Sequence, residues 1–132
     1  MGIGIAQIHH VQIFVPKELE QTARHFYGEV LGLQEVPKPA AFAGLGGAWY
    51  QCGANQLHLS IMRNVEDNRT SPRHVCYMVA DLGEAERELR QAEVPIIADD
   101  RPHDQWTRFF VRDPGGNYIE IAEMNKPKNT DG

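Results

Sequence analysis

Cysteine is scarce in this sequence: Cys52 and Cys76 are the only two in 132 residues, they lie far apart, and no CxxC spacing occurs. A basic excess is also missing, since 18 acidic residues stand against 13 basic ones for a formal charge of -5. That leaves no extended basic face and excludes nucleic acid and anionic membrane as expected partners, so a small molecule is the default ligand. No apolar run approaches the roughly 18 residues that a membrane-spanning helix requires. The amino end lacks the charged and apolar regions of a signal peptide. The expectation is therefore a soluble, cytoplasmic protein with both thiols reduced. Gly44, Gly46 and Gly47 are not followed by GK[ST] and lead into a strand, which excludes a phosphate cradle.

What the sequence does contain is a repetition. Arg73 to Val79 (RHVCYMV) restates His9 to Val15 (HHVQIFV) sixty-four positions later, and Gly53 to Leu59 (GANQLHL) reappears as Gly115 to Ile121 (GGNYIEI). The chain reads as two copies of one βαβββ unit, module one over about 7–62 and module two over about 73–123, with a polar tail at 124–132. At this length the two fit one compact domain, and units of about 60 residues that share a sheet can bury a core neither could bury alone.

In module one, Ile8 to Val15 alternates as a strand, with Val11, Ile13 and Val15 on the packing face and His10 and Gln12 on the other. Pro16 starts a helix whose apolar positions Leu19, Ala23, Phe26, Tyr27, Val30 and Leu31 recur at three- and four-residue steps, and Gly32 stops it. A short strand, Leu33 to Val36, precedes a loop, Pro37 to Gly47, that could form a lid. Strands Ala48 to Cys52 and Gln56 to Met62 then pair around Gly53-Ala54-Asn55. Arg63 to Pro72 reads as a polar linker. In module two, Arg73 to Val79 is the first strand. Asp81 and Glu84 form a capping box ahead of the stripe Leu82, Ala85, Leu89 and Ala92. Strands follow at Val94 to Ala98 and Trp106 to Arg112, a turn at Asp113 to Gly116, and a last strand at Asn117 to Glu123.

Strand parity puts His10, His58, His74 and Glu120 all on the face away from packing. Repeat-equivalent positions pair His10 with His74 and His58 with Glu120. Imidazole and carboxylate are the side chains that bind first-row divalent ions, and an imidazole-rich set favours iron, nickel, zinc, cobalt or manganese over calcium or magnesium. A glutamate among Tyr118, Ile119 and Ile121 is costly to bury without a cation or strong partner. One divalent transition metal held by these four residues is the expected cofactor, with open positions for water or substrate. If His58 does not bind, it is the candidate general base, since its unperturbed pKa lies near neutrality.

The paired βαβββ pattern, the FYGEVLGL stretch from Phe26 to Leu33, HV near the start of each module and DPGGNYIEI at the end resemble the vicinal oxygen chelate superfamily. That superfamily includes glyoxalase I, fosfomycin-resistance thiol transferases, methylmalonyl-CoA epimerase, extradiol dioxygenases and bleomycin-resistance proteins. The resemblance covers about Ile8 to Glu123. It implies an α+β fold whose two modules form a cupped eight-stranded mixed sheet with helices on the convex face, often completed as a homodimer. It also implies metal ligands at His10, His58, His74 and Glu120, and a substrate that chelates the metal through two adjacent oxygens. Lyase, isomerase, thiol-transfer and ring-cleaving dioxygenase reactions all occur on this pattern. Where glyoxalase I carries a glutamate this chain carries His58, and the epimerase carries an amide there. The two-histidine, one-glutamate pattern of the fosfomycin enzymes and dioxygenases is matched by His10, His74 and Glu120. Glu120 and His58 are thus the candidate catalytic residues.

Other residues carry weaker signals. His9 falls on the packing face and His25 on a helix, and both read as structural; His103, in a loop, could reach a substrate. Cys76 shares the face of His74 but lacks an activating partner. Trp106, as pocket wall, Gln12, on the cavity face with His10, and Arg108, as a partner for an anionic group, are the candidate substrate-binding residues. Arg112 has similar standing, and a structural salt bridge would explain either arginine. The competing function is a non-enzymatic protein of the bleomycin-resistance type that sequesters a drug or other small ligand in an aromatic groove.

Overall fold

The computed structural model describes residues 2–127. The chain divides into two compact units, Met1–Asp67 and Asn68–Gly132, so each repeat occupies its own unit. Of the polar tail expected at 124–132, Met124 belongs to the last strand and residues 128–132 lie outside the described residues.

The first unit holds strands β1 (His10–Val15), β2 (Gln34–Val36), β3 (Ala48–Cys52) and β4 (Asn55–Ile61) in the order β1-β4-β3-β2. β1 runs parallel to β4, while β3 is antiparallel to both β4 and β2. Alternation decides which side faces the helix: Val15, Leu57 and Leu59 are buried, and Gln12 and Phe14 are exposed. Under the sheet lies α1 (Glu20–His25), entered through a short 3-10 turn and continued by a π-helical turn over Phe26–Val30. The sequence period had suggested one regular helix here. Instead Leu31 donates its amide to the carbonyl of Phe26 at 2.8 Å, one residue further back than in an α-helix. The wider turn lets the adjacent Phe26 and Tyr27 both be buried. Gly32, at φ 73°, then ends the helix as expected.

The second unit repeats the topology with β5 (His74–Met78), β6 (Ile97–Ala98), β7 (Trp106–Arg112) and β8 (Tyr118–Met124) in the order β5-β8-β7-β6. All eight expected strands are present, and their hydrogen-bonded ladders form two four-stranded mixed sheets, one per unit. Helix α2 (Leu82–Gln91) is capped by Asp81, whose carboxylate accepts from the Glu84 amide at 3.0 Å. The reciprocal half of the capping box is replaced: the Glu84 carboxylate accepts from Arg87 at 2.6 Å, and Glu123 of β8 takes the Leu82 amide at 2.8 Å. Ala92, expected in the buried stripe, is exposed at the helix end, whereas Leu89 is buried. The strand expected over 94–98 shrinks to two residues because the Val94 amide closes the helix end on the Leu89 carbonyl at 2.9 Å and Pro95 has no amide to give.

Part of the expected linker also has a structural role. Asn68–Thr70 forms a 3-10 turn, and the Asn68 side-chain Nδ2 donates to the Gly115 carbonyl at 3.1 Å, so this end of the segment braces the last turn. That turn is built on Asp113, buried to 4% exposure, which accepts from the backbone and side-chain nitrogens of Asn117, each at 2.8 Å. It delivers β8, and with it Glu120, in register opposite Cys76 of β5 and Phe110 of β7.

Candidate functional site

In the first unit the sheet brings His10 and His58 together. Their rings stack with centroids 4.0 Å apart and planes 14° from parallel, and the other face of His58 lies on Trp49 at 3.8 Å and 1°. Register puts Trp49 of β3 directly opposite His58 of β4, whereas His10 of β1 stands opposite Gln56 and its ring reaches His58 diagonally. His58 Nε2 donates to the Gln56 side-chain oxygen at 2.9 Å, which leaves Nδ1 with the lone pair. Two stacked rings direct their in-plane lone pairs side by side, so in this arrangement His10 and His58 do not converge on one ion.

His58 is 4% exposed, and burial, then the nearby His10 and His9, lower its pKa from 6.5 to about 4. The imidazole is therefore neutral near pH 7 and a weaker base than its unperturbed pKa implied. The sign for stability follows: a depressed histidine pKa stabilises the fold fully above about 6.5 and loses that contribution as the pH falls toward 4. For metal-free protein we expect unfolding free energies from urea denaturation at pH 7 and pH 4.5 to differ by about 2 kcal/mol more in wild type than in His58→Gln. Equal pH dependence in the two proteins would refute the assignment.

His9 was read from parity as facing the core, but β1 begins only at His10, so strand alternation does not govern it. Its Nδ1 lies 3.0 Å from Nδ1 of His10, one nitrogen donating and the other accepting. No sequence signal separates this contact from a solvent-facing ring.

In the second unit the sheet brings His74 and Glu120 together. His74 Nδ1 meets the Pro72 carbonyl at 3.0 Å, and since a carbonyl only accepts, Nδ1 carries hydrogen and Nε2 faces Glu120 Oε1 at 3.2 Å. Between an imidazole nitrogen and a carboxylate oxygen at that distance there must sit a proton or a cation. Glu120 is 4% exposed, and its Oε2 accepts from Trp106 Nε1 at 2.9 Å, with Arg108 Nη1 at 3.5 Å. Arg108, the expected partner of a substrate anion, instead pairs with Asp99 at 3.1 Å and lies over the Phe110 ring at 5.1 Å. Trp106, read as pocket wall, turns out to position Glu120, and Asp99 was not singled out at all. Arg112 is structural, donating to the Gly116 carbonyl at 3.0 Å and lying over Tyr118. His103 packs edge-on against Trp106 at 4.4 Å.

Cys52 and Cys76 are free thiols. Cys76 is exposed on its strand, yet partial desolvation and then the adjacent Glu120 carboxylate push its thiol up to about 11, which makes it a weak nucleophile at neutral pH. On EDTA-treated protein, alkylation of Cys76 by iodoacetamide at pH 7.5, followed by mass spectrometry, is expected to run roughly a hundredfold slower than for an ordinary exposed thiol.

Does the donor set fit the divalent metal that the resemblance implies? The donors of the second unit do: Nε2 and Oε1 are 3.2 Å apart, less than twice the roughly 2.1 Å ligand distance, so one ion can touch both. The Pro72 carbonyl and Trp106 hold these two ligands from behind, as buried metal sites require. Among the described residues no three His, Cys, Asp or Glu side chains are grouped so as to hold a metal ion. None of the described helices is long and apolar enough to cross a membrane.

The family model of the glyoxalase/bleomycin resistance protein/dioxygenase superfamily matches residues 7–121. The chain belongs to that superfamily. Among solved structures, this superfamily member resembles a protein from Bacillus anthracis assigned to the glyoxalase family, with 36% identity, a TM-score of 0.84, and coverage of 95% of this chain and 100% of that one. It shares its fold with lactoylglutathione lyase from Agrobacterium tumefaciens (23% identity, TM-score 0.69, 92% and 96% of the two chains). The same holds for an antibiotic-binding protein from a Streptomyces species (15% identity, TM-score 0.71, 94% and 100%). No curated protein matches. The fold is thus shared with both a lyase and an antibiotic-binding protein.

Proposed function

We propose that this protein is a divalent metal-dependent enzyme of the glyoxalase/dioxygenase superfamily, acting on a small molecule that presents two adjacent oxygens. The observation that carries the reading is the His74–Glu120 pair, a buried carboxylate at 3.2 Å from an imidazole nitrogen whose other nitrogen is already bonded. We assign metal binding to His74 and Glu120 of the second unit, and in the first unit His58 is a neutral imidazole stacked on His10. A bound divalent ion would act as a Lewis acid on the substrate oxygens, which suits lyase, isomerase, thiol-transfer or ring-cleaving chemistry alike. Trp106 and Arg108 restrict the Glu120 carboxylate to one orientation.

The test is elemental analysis of the purified chain, with about one transition-metal ion per chain expected and most of it lost in His74→Ala. Wild type that takes up no metal would defeat the proposal. Oxygen uptake by an iron-loaded protein on a catechol would select dioxygenation; activity with nickel, cobalt, zinc or manganese would select the other reactions. A second reading, a non-enzymatic binder of a small ligand, draws on the aromatic lining of a cleft in the first unit by Phe14, Phe42 and Trp49. Tight ligand binding by a protein that takes up no metal would favour it. In either case we expect a homodimer, read by light scattering.

A further inference from the structure

Beyond His58, the exposed face of the first sheet continues into a cleft of about 280 Å³, near the lower end of the range for small-molecule sites. Register places it. The row Gln12–His58–Trp49 is followed, two residues along each strand, by the row of Phe14 and Ser60, so the cleft adjoins the His10–His58 stack on the same face. Phe14, Phe42 and Trp49 give it flat walls, with Phe42 and Trp49 centroids 5.5 Å apart, and Gln12 and Ser60 offer polar contacts. Its charged lining is cationic. Lys38 and Arg63 border it, and among the described residues no carboxylate does, in a chain with 18 acidic residues against 13 basic. Glu66 borders an adjoining hollow that shares Gln12, Phe14, Met62 and Arg63 with the cleft. The Lys38 ammonium is held in place by the Gly46 carbonyl at 2.6 Å, and Arg63 is exposed.

We propose that this cleft receives a planar organic anion, a one- or two-ring molecule bearing a carboxylate or a comparable group. The aromatic walls favour a flat ring. The Arg63 guanidinium matches a carboxylate through two parallel hydrogen bonds, with Lys38 adding charge. The inference rests on the proposed function in treating this molecule as of the class the protein acts on, but the cleft's preference for an anion is its own and needs no metal.

That separation makes the experiment decisive. The full chain, stripped of metal with EDTA, is titrated calorimetrically with naphthoate, naphthylmethanol and naphthylmethylamine, which share one ring system and differ in charge. Naphthoate is expected to bind about tenfold more tightly than the alcohol and the amine to bind least; Arg63→Gln should erase the advantage of the anion by about tenfold while leaving the alcohol unchanged. Phe42→Ala should weaken anion and alcohol alike. The proposal is overturned if the alcohol or amine binds as well as the anion, if Arg63→Gln binds naphthoate like wild type, or if nothing binds. It is also overturned if naphthoate binds only after metal is restored, a result that leaves the proposed function standing. Intact naphthoate binding by a protein that takes up no metal would overturn the proposed function and leave the cleft assignment in place.

Discussion

Glu120→Gln should strip the protein of its metal, lowering affinity by at least about a hundredfold while the fold survives. Glutamine keeps the shape of the side chain and still offers an oxygen to Trp106 Nε1, which lies 2.9 Å from Oε2 in the wild-type protein. What it removes is the negative charge facing His74 Nε2 at 3.2 Å, and a neutral amide oxygen is a poor ligand for the ions that imidazoles favour. Metal content by elemental analysis and affinity by chelator competition report the loss; circular dichroism reports the retained fold. Trp106→Phe serves as the graded comparison. It deletes one hydrogen bond to the carboxylate without touching its charge, and a loss of about tenfold in affinity is expected. A Glu120→Gln protein that keeps wild-type metal would remove Glu120 from the ligand set and with it the basis of the functional proposal.

Much of this arrangement was legible in the sequence because strands have a side-chain period of two. Val15, Leu57, Leu59, Ile119 and Ile121 mark the buried faces, and parity then assigns His10 and His74 to the opposite face, where both are exposed. The repeat made the two sheets legible as copies, and their strand orders agree element for element. Less legible was anything decided by side-chain reach. Trp106 meets Glu120 because β7 and β8 are antiparallel neighbours, and Arg108 turns toward Asp99 because a carboxylate lies within 3.1 Å; neither partner has a sequence offset that signals it. His58 illustrates the limit most clearly. Its position was predictable, but its low pKa comes from burial between Trp49 and His10, a matter of packing that no spacing rule contains. The π-helical turn at Phe26–Val30 was missed for a related reason: two adjacent aromatic residues both needed burial, and the helix widened to provide it.

A second large effect is expected at Gly47, the residue through which the 37–47 segment enters β3. Its φ of 75° is a conformation that side-chain-bearing residues rarely adopt, and a methyl group built there would overlap the backbone carbonyl of Leu59 on the neighbouring strand. Gly46 shares the same φ of 75°, but an added methyl would meet only side-chain atoms, of Ile61 at 3.2 Å and Glu20 at 3.3 Å. The two glycines therefore separate backbone strain from backbone collision. Strain alone costs about 1–3 kcal/mol. Collision with a paired strand must also displace β3 from β4, where Ala48 stands opposite Leu59, or break the brace in which the Gly47 amide donates to Glu20 at 3.2 Å. We expect Gly47→Ala to lower unfolding free energy by about 4 kcal/mol or more, against about 1–2 kcal/mol for Gly46→Ala. Urea denaturation of metal-free protein reads both, and similar losses at the two positions would show that the carbonyl of Leu59 yields more easily than its place in the ladder implies.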